Sequence, residues 1–449
     1  MRLYRKIEEK LEEWYESKYG LIVFGSRQVG KTYIINEFLK EKFEDYYYLN
    51  LYENVNAISV LVKSVDTKDF LLRLSALSNH EIKDSTCIFI DEIQEYYNYL
   101  EKHKEIDIYY DLITSSKFIV ENTNNRIVFS GSLLRLELNN IISNPVGYLL
   151  PLELYPLDFE EFLMANGVNR DLIDVVKDCF NEEKEVPDYL HNQFLDYFIK
   201  YILVGGMPNA VSEFVDSNSF VRVENAHKTI DYFIRQDITK YASDNEKLKI
   251  QEIYDLVPTE LDKMSKRFII SDIPGHNKNE NEQLSFSWLN RAGVTIPVYI
   301  ADNPRVPLRA SAVRNKLKLY HEDVGLLTYA LMGYETKVSV LSGNVNINYG
   351  ALYENACAQL LYAHGFNNLY YYANKKNGEV DFLLEKAGKV WPVEIKSGKD
   401  YNRHSALNNL LNNNDYGIDS AYVFYNGNVI RKNSILYLPI YMIDLLKRL

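Results

Sequence analysis

Residues 21–32 have the sequence Leu21-Ile22-Val23-Phe24-Gly25-Ser26-Arg27-Gln28-Val29-Gly30-Lys31-Thr32, in which an apolar run leads into Gly-x-x-x-x-Gly-Lys-Thr and then into a helical pattern. The two glycines lack a Cβ, so the backbone can wrap around an oxyanion, with loop N–H groups and the helix start directed at phosphates. Lys31 is suited to bind the β- and γ-phosphates of ATP, and the Thr32 hydroxyl to bind Mg²⁺. The flanking strand and helix favour a nucleotide-binding loop over a chance glycine-rich turn.

Further apolar segments alternate with helical patterns along the first 150 residues. Short strands are predicted at 46–51, 86–92 and 126–132, and a helix at 31–42. Strands that alternate with helices are typical of a parallel, doubly wound sheet. The predicted fold class is therefore α/β, with a P-loop parallel-sheet domain at residues 1–150.

Two acids, Asp91 and Glu92, end the apolar strand Cys87–Ile90. The C-terminal strand ends of an open α/β sheet are where such folds place their sites. Asp91 is expected to hold Mg²⁺ directly or through water, and Glu92 to orient and polarise the water that attacks the γ-phosphate. The alternative is a pair of acids at a helix N-terminus, but the loop upstream favours hydrolysis.

Ser130 and Ser132 follow the next apolar strand, which is expected beside the strand that enters the loop. A hydroxyl there can sense the γ-phosphate, and Ser130 is preferred because it ends the strand. Capping of the following helix is an equal alternative. Arg135 and Arg235 are candidates for a positive charge at the transition state, although most arginines are solvated or structural.

The bulk composition limits the class of protein. The chain has 449 residues, too many for one core, and three widely spaced cysteines, which are typical of a reducing, cytoplasmic setting. Charged residues between Arg2 and Lys10 interrupt any apolar run at the start, so no signal peptide is expected. No run of about 18 uncharged apolar residues occurs, so no membrane span is expected either. The formal net charge of −12 argues against a protein that coats nucleic acid with its whole surface. A small basic surplus in residues 311–449 makes the C-terminal part the better candidate for contact with nucleic acid.

Three further regions are predicted after the first domain. Residues 151–240 are acidic and helical, as expected for a lid or connector. Residues 241–320 combine short helical patterns with a strand-rich stretch near 294–301, which suits a winged-helix-like region. Its candidate recognition helix at 284–289 has no Arg or Lys, so a structural role is favoured over groove binding. Residues 321–449 return to a mixed α/β pattern.

The order of the motifs resembles that of the AAA-type ATPases of archaea and bacteria that carry a C-terminal domain of unknown function. The resemblance spans nearly the whole chain and rests on Gly25–Thr32, Asp91–Gln94, Phe129–Ser132, Pro156–Phe162, Gly205–Pro208, Lys318–Tyr320 and Asp323–Leu327. It implies an ATP-hydrolysing protein in which Lys31, Glu92 and Ser130 are catalytic. One departure is Gly147-Tyr148, where family members commonly have Gly-Arg, so the role of that arginine is not carried over.

Residues 379–396 predict a β-hairpin with a tight turn at Ala387-Gly388. If position 385 pairs with position 390, then Asp381 lies opposite Glu394. Directly opposed residues, and residues two apart, share a face of the sheet. One face of the hairpin then carries Asp381, Glu394 and Lys396, with Glu379 nearby.

Two carboxylates at this separation suit a hard divalent cation such as Mg²⁺, and a nearby lysine can position or activate water. The pattern resembles the restriction-endonuclease-like superfamily, whose core is an Asp followed by Glu-x-Lys, with an upstream helical glutamate. The resemblance implies a metal site at Asp381 and Glu394, a catalytic Lys396, and Glu354 as the upstream acid. An inherited fold with structural or inactive acids is the alternative.

Three hypotheses follow for the function. The favoured one is an ATP-hydrolysing protein whose nucleotide cycle controls a nuclease-like C-terminal domain that acts on DNA. The second is a nucleotide-gated regulatory protein whose C-terminal domain binds a partner without cutting it. The third is an ATPase whose partner is another protein, including further copies of itself.

Overall fold

The computed structural model describes the whole chain except for residues 1, 79–80, 104–110, 133–146, 243–245, 264–265, 269–281, 346, 348, 375, 399 and 449. The chain forms two compact units. The N-terminal unit comprises Arg5–Tyr155 with Arg291–Gly293. The C-terminal unit comprises Met1–Tyr4, Pro156–Asn290 and Val294–Leu449.

A parallel sheet forms the centre of the N-terminal unit. Its strands are β1 (Gly20–Phe24), β2 (Tyr46–Asn50), β3 (Cys87–Asp91), β4 (Arg126–Gly131) and β5 (Leu149–Glu153). They lie in the order β2-β3-β4-β1-β5 and all pair in parallel. Every residue of β3 is buried, as expected for a strand whose two faces are both covered. The predicted parallel sheet is confirmed, and β4 lies beside β1 as expected.

Six described helices accompany this sheet: α1 (Ile7–Glu16), α2 (Lys31–Lys42), α3 (Val55–Leu61), α4 (Thr67–Ser78), α5 (Gln94–Lys102) and α6 (Leu112–Asn122). Helix α2 has the bounds predicted from the sequence. It buries Ile34, Phe38 and Leu39 in one core cluster with Val23 of β1. This packing fixes the start of α2 against the end of β1, where the glycine-rich loop joins them.

Eleven described helices follow along the chain: α7 (Phe159–Ala165), α8 (Arg170–Asn181), α9 (Asp188–Val204), α10 (Pro208–Ser217), α11 (Phe220–Tyr241), α12 (Lys247–Asp262), α13 (Glu282–Arg291), α14 (Val324–Leu331), α15 (Tyr334–Leu341), α16 (Gly350–Ala363) and α17 (Ser405–Leu411). Residues 151–240 are thus mainly helical, as predicted. Among the described helices, none combines the length and the apolar character that crossing a bilayer requires.

A mixed sheet of eight strands forms the core of the C-terminal unit. Its strands are β6 (Thr295–Ala301), β7 (Ala312–His321), β8 (Leu369–Asn374), β9 (Gly378–Lys386), β10 (Lys389–Lys396), β11 (Ala421–Tyr425), β12 (Ile430–Lys432) and β13 (Ile435–Pro439). Their order is β12-β13-β11-β10-β9-β8-β6-β7. Strands β9 and β10 therefore lie in the middle of the sheet, where both are paired on either side.

The stretch near 294–301, expected in a winged-helix-like region, forms β6, which belongs to this large sheet. Strand β6 pairs with β7 in antiparallel orientation and with β8 in parallel orientation. The winged-helix prediction is not confirmed, because a short apolar strand does not itself specify its partner. The β6–β8 pairing joins segments about 70 residues apart in the chain, and local pattern contains no information on such a contact.

Two glycines let three backbone segments approach closely in the C-terminal unit. A Cβ on Gly206 would lie 2.2 Å from the carbonyl oxygen of Leu157, and a Cβ on Gly325 would lie 2.4 Å from that of Val204. The Gly206 N–H donates to Asp323 Oδ2 at 2.6 Å, and the other oxygen of Asp323 accepts from the N–H of Leu326 at 3.2 Å. Asp323 and the two glycines therefore hold the C-terminal end of α9 against the N-terminal end of α14.

Candidate functional site

The glycine-rich loop follows β1 and ends at the first residue of α2. Gly25 has a φ of +150° and Gly30 a φ of +96°, conformations that L side chains rarely adopt. A Cβ on Gly25 would also lie 2.0 Å from the carbonyl oxygen of Leu154. Gly30 is the N-cap of α2, so the unpaired N–H groups of the first helical turn belong to the loop. The sequence pattern therefore produces the anion-binding geometry for which its glycines are required.

Lys31 lies inside this loop. Its ammonium donates to the carbonyl oxygens of Gly25 at 3.0 Å and Ser26 at 2.9 Å. The side chain is buried, and its cation is held at the centre of the curved backbone. A phosphate bound by the loop N–H groups would meet this positive charge.

Asp91 joins the loop to the neighbouring strands. The Thr32 hydroxyl donates to Asp91 Oδ2 at 2.7 Å, and the Ser130 hydroxyl donates to Asp91 Oδ1. Both hydroxyls and the carboxylate lie at the C-terminal edge of the sheet, because β3 and β4 are adjacent and β4 pairs with β1. Thr32 and Asp91 thus present close oxygen atoms, the ligand type that Mg²⁺ prefers. The predicted residues Thr32, Asp91 and Ser130 are brought together.

Tyr48 is a residue of this network that sequence reasoning missed. Its hydroxyl donates to Asp91 Oδ2 at 3.2 Å and accepts from the Asn50 amide at 3.3 Å. Burial and the Asp91 carboxylate raise the pKa of the Tyr48 phenol, so it stays a hydrogen-bond donor. The signal was present in the alternation along β2, which directs Tyr48 and Asn50 to the same face.

Glu92 is held in an uncommon backbone conformation. Its φ is +54°, in the left-handed region. This conformation costs energy for a residue other than glycine, and such residues cluster at functional sites. The Gln94 amide donates to Glu92 Oε2, and Gln94 is itself buried. The carboxylate is therefore oriented by a side chain two residues later, at the start of α5. Sequence reasoning noticed Gln94 only as part of a motif and gave it no role.

Of the remaining candidates for the nucleotide site, Ser132 and Arg235 are not part of this hydrogen-bond network among the described residues. Ser132 is buried, and its hydroxyl has no hydrogen-bond partner among the described residues. Arg235 belongs to the C-terminal unit, where its guanidinium pairs with Asp231 and Asp255, each at 2.8 Å. Arg135 lies outside the described residues.

The hairpin β9–β10 has the register predicted from its turn. Val390 pairs with Glu385, and Val393 pairs with Phe382. Ala387 and Gly388 form the turn with φ values of +50° and +72°. The paired register ends at Val393 and Phe382, directly before Glu394 and Asp381, and Asp381 Oδ2 accepts from the N–H of Ile395 at 2.8 Å. The hairpin thus brings the two acids of the predicted metal site side by side.

Glu354, on α16, reaches the same cluster but is fully engaged there. One carboxylate oxygen accepts from Lys266, and the other accepts from Lys318 at 3.3 Å and from the Tyr320 hydroxyl at 2.9 Å. Burial alone would raise the pKa of Glu354, but Lys318 and Lys266 hold it at about 2. Glu354 is therefore a permanent anion whose two oxygens already have partners.

Asp381 and Glu394 are less well compensated. Burial and the Glu354 and Glu394 carboxylates raise the pKa of Asp381. Burial also raises the pKa of Glu394, although Lys396 donates to its Oε1 at 2.7 Å. Glu394 Oε2 is buried and has no hydrogen-bond partner among the described residues. Unfavourably buried anions and an unsatisfied oxygen are what a divalent cation would relieve.

Three family models match successive parts of the chain. Residues 17–163 match a family model described as an AAA domain. Residues 195–337 and 349–443 match two models described as domains of unknown function, DUF8612 and DUF4143. The uncharacterized protein MJ1544 of Methanocaldococcus jannaschii is 25% identical over 370 residues, which cover 81% of this chain and 71% of the relative.

Solved structures with some similarity include two archaeal proteins. The Walker-type ATPase PABY2304 of Pyrococcus abyssi has a TM-score of 0.43 at 14% identity, with 74% of this chain and 96% of that chain covered. The ORC1 protein of Aeropyrum pernix, in complex with DNA, has a TM-score of 0.27 at 12% identity, with 75% and 93% covered. The parallel sheet, the glycine-rich loop and the match of residues 17–163 together identify the N-terminal part of this chain as a P-loop domain of the AAA type.

Proposed function

We propose that the N-terminal unit binds ATP with Mg²⁺ and hydrolyses it. The observation that carries this proposal is the contact between the Thr32 hydroxyl and Asp91 Oδ2 at 2.7 Å, which joins the phosphate-binding loop to the acidic end of β3. A nucleotide-binding loop alone would not need this pairing. Hydrolysis does, because the γ-phosphate, the metal ion and the attacking water must meet at one point.

The chain's own residues have distinct roles in this proposal. The loop Gly25–Thr32 binds the phosphates through its N–H groups, and the Lys31 ammonium adds a positive charge. Thr32 and Asp91 would hold Mg²⁺, which offsets the negative charge of the phosphate oxygens. Glu92, oriented by Gln94, accepts the proton of the attacking water. Ser130 would sense the γ-phosphate through the Asp91 carboxylate, to which Thr32 also donates a hydrogen bond.

Replacing Lys31 by Ala tests whether this loop is the ATP site. We expect the Kd for Mg·ATP to rise by about 10- to 100-fold, because a charge-assisted hydrogen bond contributes about 1.5–3 kcal/mol. Fluorescence titration with a labelled ATP analogue measures the Kd. Lys40→Ala is the matched control, since Lys40 lies on the same helix but is exposed and paired with Glu37. Equal affinities in the two variants would mean that ATP binds elsewhere.

A second function is favoured by the C-terminal cluster. We propose that the C-terminal unit is a nuclease-like domain whose activity is controlled by the nucleotide cycle, and that DNA is its substrate class. The convergence of Glu354, Asp381, Glu394 and Lys396 supports it, as does Glu394 Oε2, which has no hydrogen-bond partner within the described ranges of the chain. Asp381 and Glu394 would hold one divalent cation, which activates water and stabilises phosphate charge. Lys396 is held beside this site by Glu394.

Two other outcomes keep the same N-terminal chemistry. A regulatory protein would bind nucleic acid in a nucleotide-dependent way and cleave none in Mg²⁺ or Mn²⁺. An ATPase that acts on protein partners, or on further copies of itself, would show no salt-dependent binding of nucleic acid. A cleavage assay on single- and double-stranded DNA and RNA, with and without ATP, separates these outcomes.

Replacing Glu394 by Gln tests the proposed metal site. We expect metal-dependent cleavage to fall by about 100-fold, because the variant removes the charge of a ligand but keeps its shape. Rates are measured with Mn²⁺ on a labelled DNA duplex. Asp419→Asn, at an exposed carboxylate of the same unit, is the control. Cleavage that persists unchanged in Glu394→Gln would remove this residue from the reaction.

A further inference from the structure

Strand β7 contributes two side chains to the carboxylate cluster. Lys318 and Tyr320 are two residues apart, so they share one face of the strand, and both donate to Glu354 Oε2. In the sequence, Lys318–Tyr320 is one of the motifs that carry the resemblance to AAA-type ATPases. Its position in the structure gives it a chemical role, since it places a cation among the acids of the proposed metal site.

The Lys318 ammonium is enclosed by three carboxylates. Its Nζ lies 2.8 Å from Glu379 Oε1, 3.3 Å from Glu354 Oε2 and 3.7 Å from Asp381 Oδ1. It also lies 5.2 Å from the ring centroid of Tyr371, a cation–π distance. The Lys318 side chain has no exposed surface. Buried lysines are held only by such partners, because an unpaired buried charge is very costly.

The cluster consists of four acidic and four basic side chains. Its acids are Glu354, Glu379, Asp381 and Glu394, and its cations are Lys266, Arg267, Lys318 and Lys396. Arg267 pairs with Glu379 at 2.7 Å, and the other cations pair as described above. Glu394 Oε2 has no hydrogen-bond partner among the described residues, and Asp381 Oδ1 lies 3.7 Å from Lys318 Nζ, beyond hydrogen-bond distance. Two oxygens from two side chains suit one metal ion.

We propose that the Lys318 ammonium takes the place of a second divalent cation among Glu354, Glu379 and Asp381, so that the C-terminal site holds no more than one metal ion. This inference rests on the metal site proposed above at Asp381 and Glu394. A divalent cation needs several oxygen ligands at about 2.0–2.6 Å. Glu354 Oε2 and Glu379 Oε1 already contact the Lys318 ammonium. A metal ion bound to the same oxygens would lie close to this ammonium, and the two cations would repel each other.

The test is the number of Mn²⁺ ions bound to the full chain, measured by equilibrium dialysis without nucleotide. A Thr32→Ala/His364→Ala background removes the metal ligand of the phosphate-binding loop and one member of another group of possible ligands, Asp158, His364 and Asp444. We expect about one Mn²⁺ ion in this background and about one more after Lys318→Met, whereas Lys318→Arg keeps the charge and gains none. Mn²⁺ should also raise the Tm of Lys318→Met more than that of the background, because the ion replaces a lost cation.

Equal ion counts and equal Tm increments in the Lys318→Met variant and the background would overturn the proposal. If Lys318→Met does not fold even with Mn²⁺, the number of Mn²⁺ ions bound to the Glu394→Gln variant tests the proposal instead, because this variant keeps Lys318. The proposal then requires the bound Mn²⁺ to be lost completely. An ion that stays bound to Glu394→Gln lies with the remaining acids, where Lys318 is meant to exclude it, and would refute the proposal.

The result also separates this inference from the proposed nuclease function. If the background binds no Mn²⁺, the metal site at Asp381 and Glu394 is wrong. A gain of one ion in Lys318→Met would still support the role of Lys318 as a tethered cation. Conversely, an unchanged count in Lys318→Met beside metal-dependent cleavage by wild type would leave the nuclease proposal standing and remove the one for Lys318.

Discussion

A Glu92→Gln variant is expected to bind ATP as tightly as the wild type and to hydrolyse it about 10²- to 10⁴-fold more slowly. The carboxylate is the only part of the side chain that can accept a proton from water, and the amide that replaces it cannot. The phosphate-binding loop, Lys31 and the pair Thr32–Asp91 do not depend on this carboxylate. The loss therefore falls on kcat and leaves the affinity for ATP unchanged.

Steady-state phosphate release gives kcat, and titration with a labelled ATP analogue gives the Kd. Glu101→Gln is the matched control, because Glu101 is an exposed acid on the same helix, α5, that Gln94 begins. A Glu92→Gln variant with wild-type turnover would show that another group activates the water. A variant with weakened binding as well as slow turnover would show that Glu92 supports the loop rather than the chemical step.

A Glu354→Ala variant is expected to destabilise the C-terminal unit by about 3–5 kcal/mol, the usual cost of removing one partner from a buried ion pair. Glu354 accepts from Lys266, Lys318 and Tyr320, and all three donors would lose their acceptor. The uncompensated charge of Lys318 dominates this cost, since that side chain has no exposed surface. The methyl group of Ala also leaves a cavity in a packed region, which adds to the loss.

Thermal unfolding followed by circular dichroism measures this effect, with Glu335→Ala as a control at an exposed acid of α15. The double variant Glu354→Ala/Lys318→Met should lose less stability than the sum of the single variants, because the second change removes the stranded cation. Strict additivity would mean that Glu354 contributes through packing alone. An unchanged Tm for Glu354→Ala would contradict the buried ion network itself.

Sequence reasoning was most successful where the relevant interactions are local. The bounds of α2 follow from the glycine that precedes it, and the β9–β10 register follows from the turn at Ala387 and Gly388. A tight turn sets which residues face each other, so the approach of Asp381 to Glu394 was predictable. The same holds for Thr32 and Asp91, because parallel strands bring their C-terminal ends to one edge.

Sequence reasoning was least successful where distant segments meet. Strand β7 lies at the edge of the eight-stranded sheet, and nothing in its own pattern predicts that Lys318 reaches Glu379 on β9. The same limit explains why the stretch near 294–301, which forms β6, was assigned to a winged-helix-like region. Gln94 was missed for another reason, because its contact depends on the left-handed backbone of Glu92, which residue type does not predict.

The contact between the ends of α9 and α14, held by Asp323, has a consequence for tracing distant relatives of this fold. A side chain at Gly205, Gly206 or Gly325 would overlap neighbouring atoms within about 2.2–2.4 Å, and Asp323 holds the Gly206 N–H. These requirements belong to the architecture and not to any reaction. A descendant chain that has lost Glu92 or Glu394 would also have lost the corresponding chemistry. It would still have to keep glycine at the three positions and the carboxylate of Asp323. Such a signature would outlast the activity and would mark inactive members as readily as active ones.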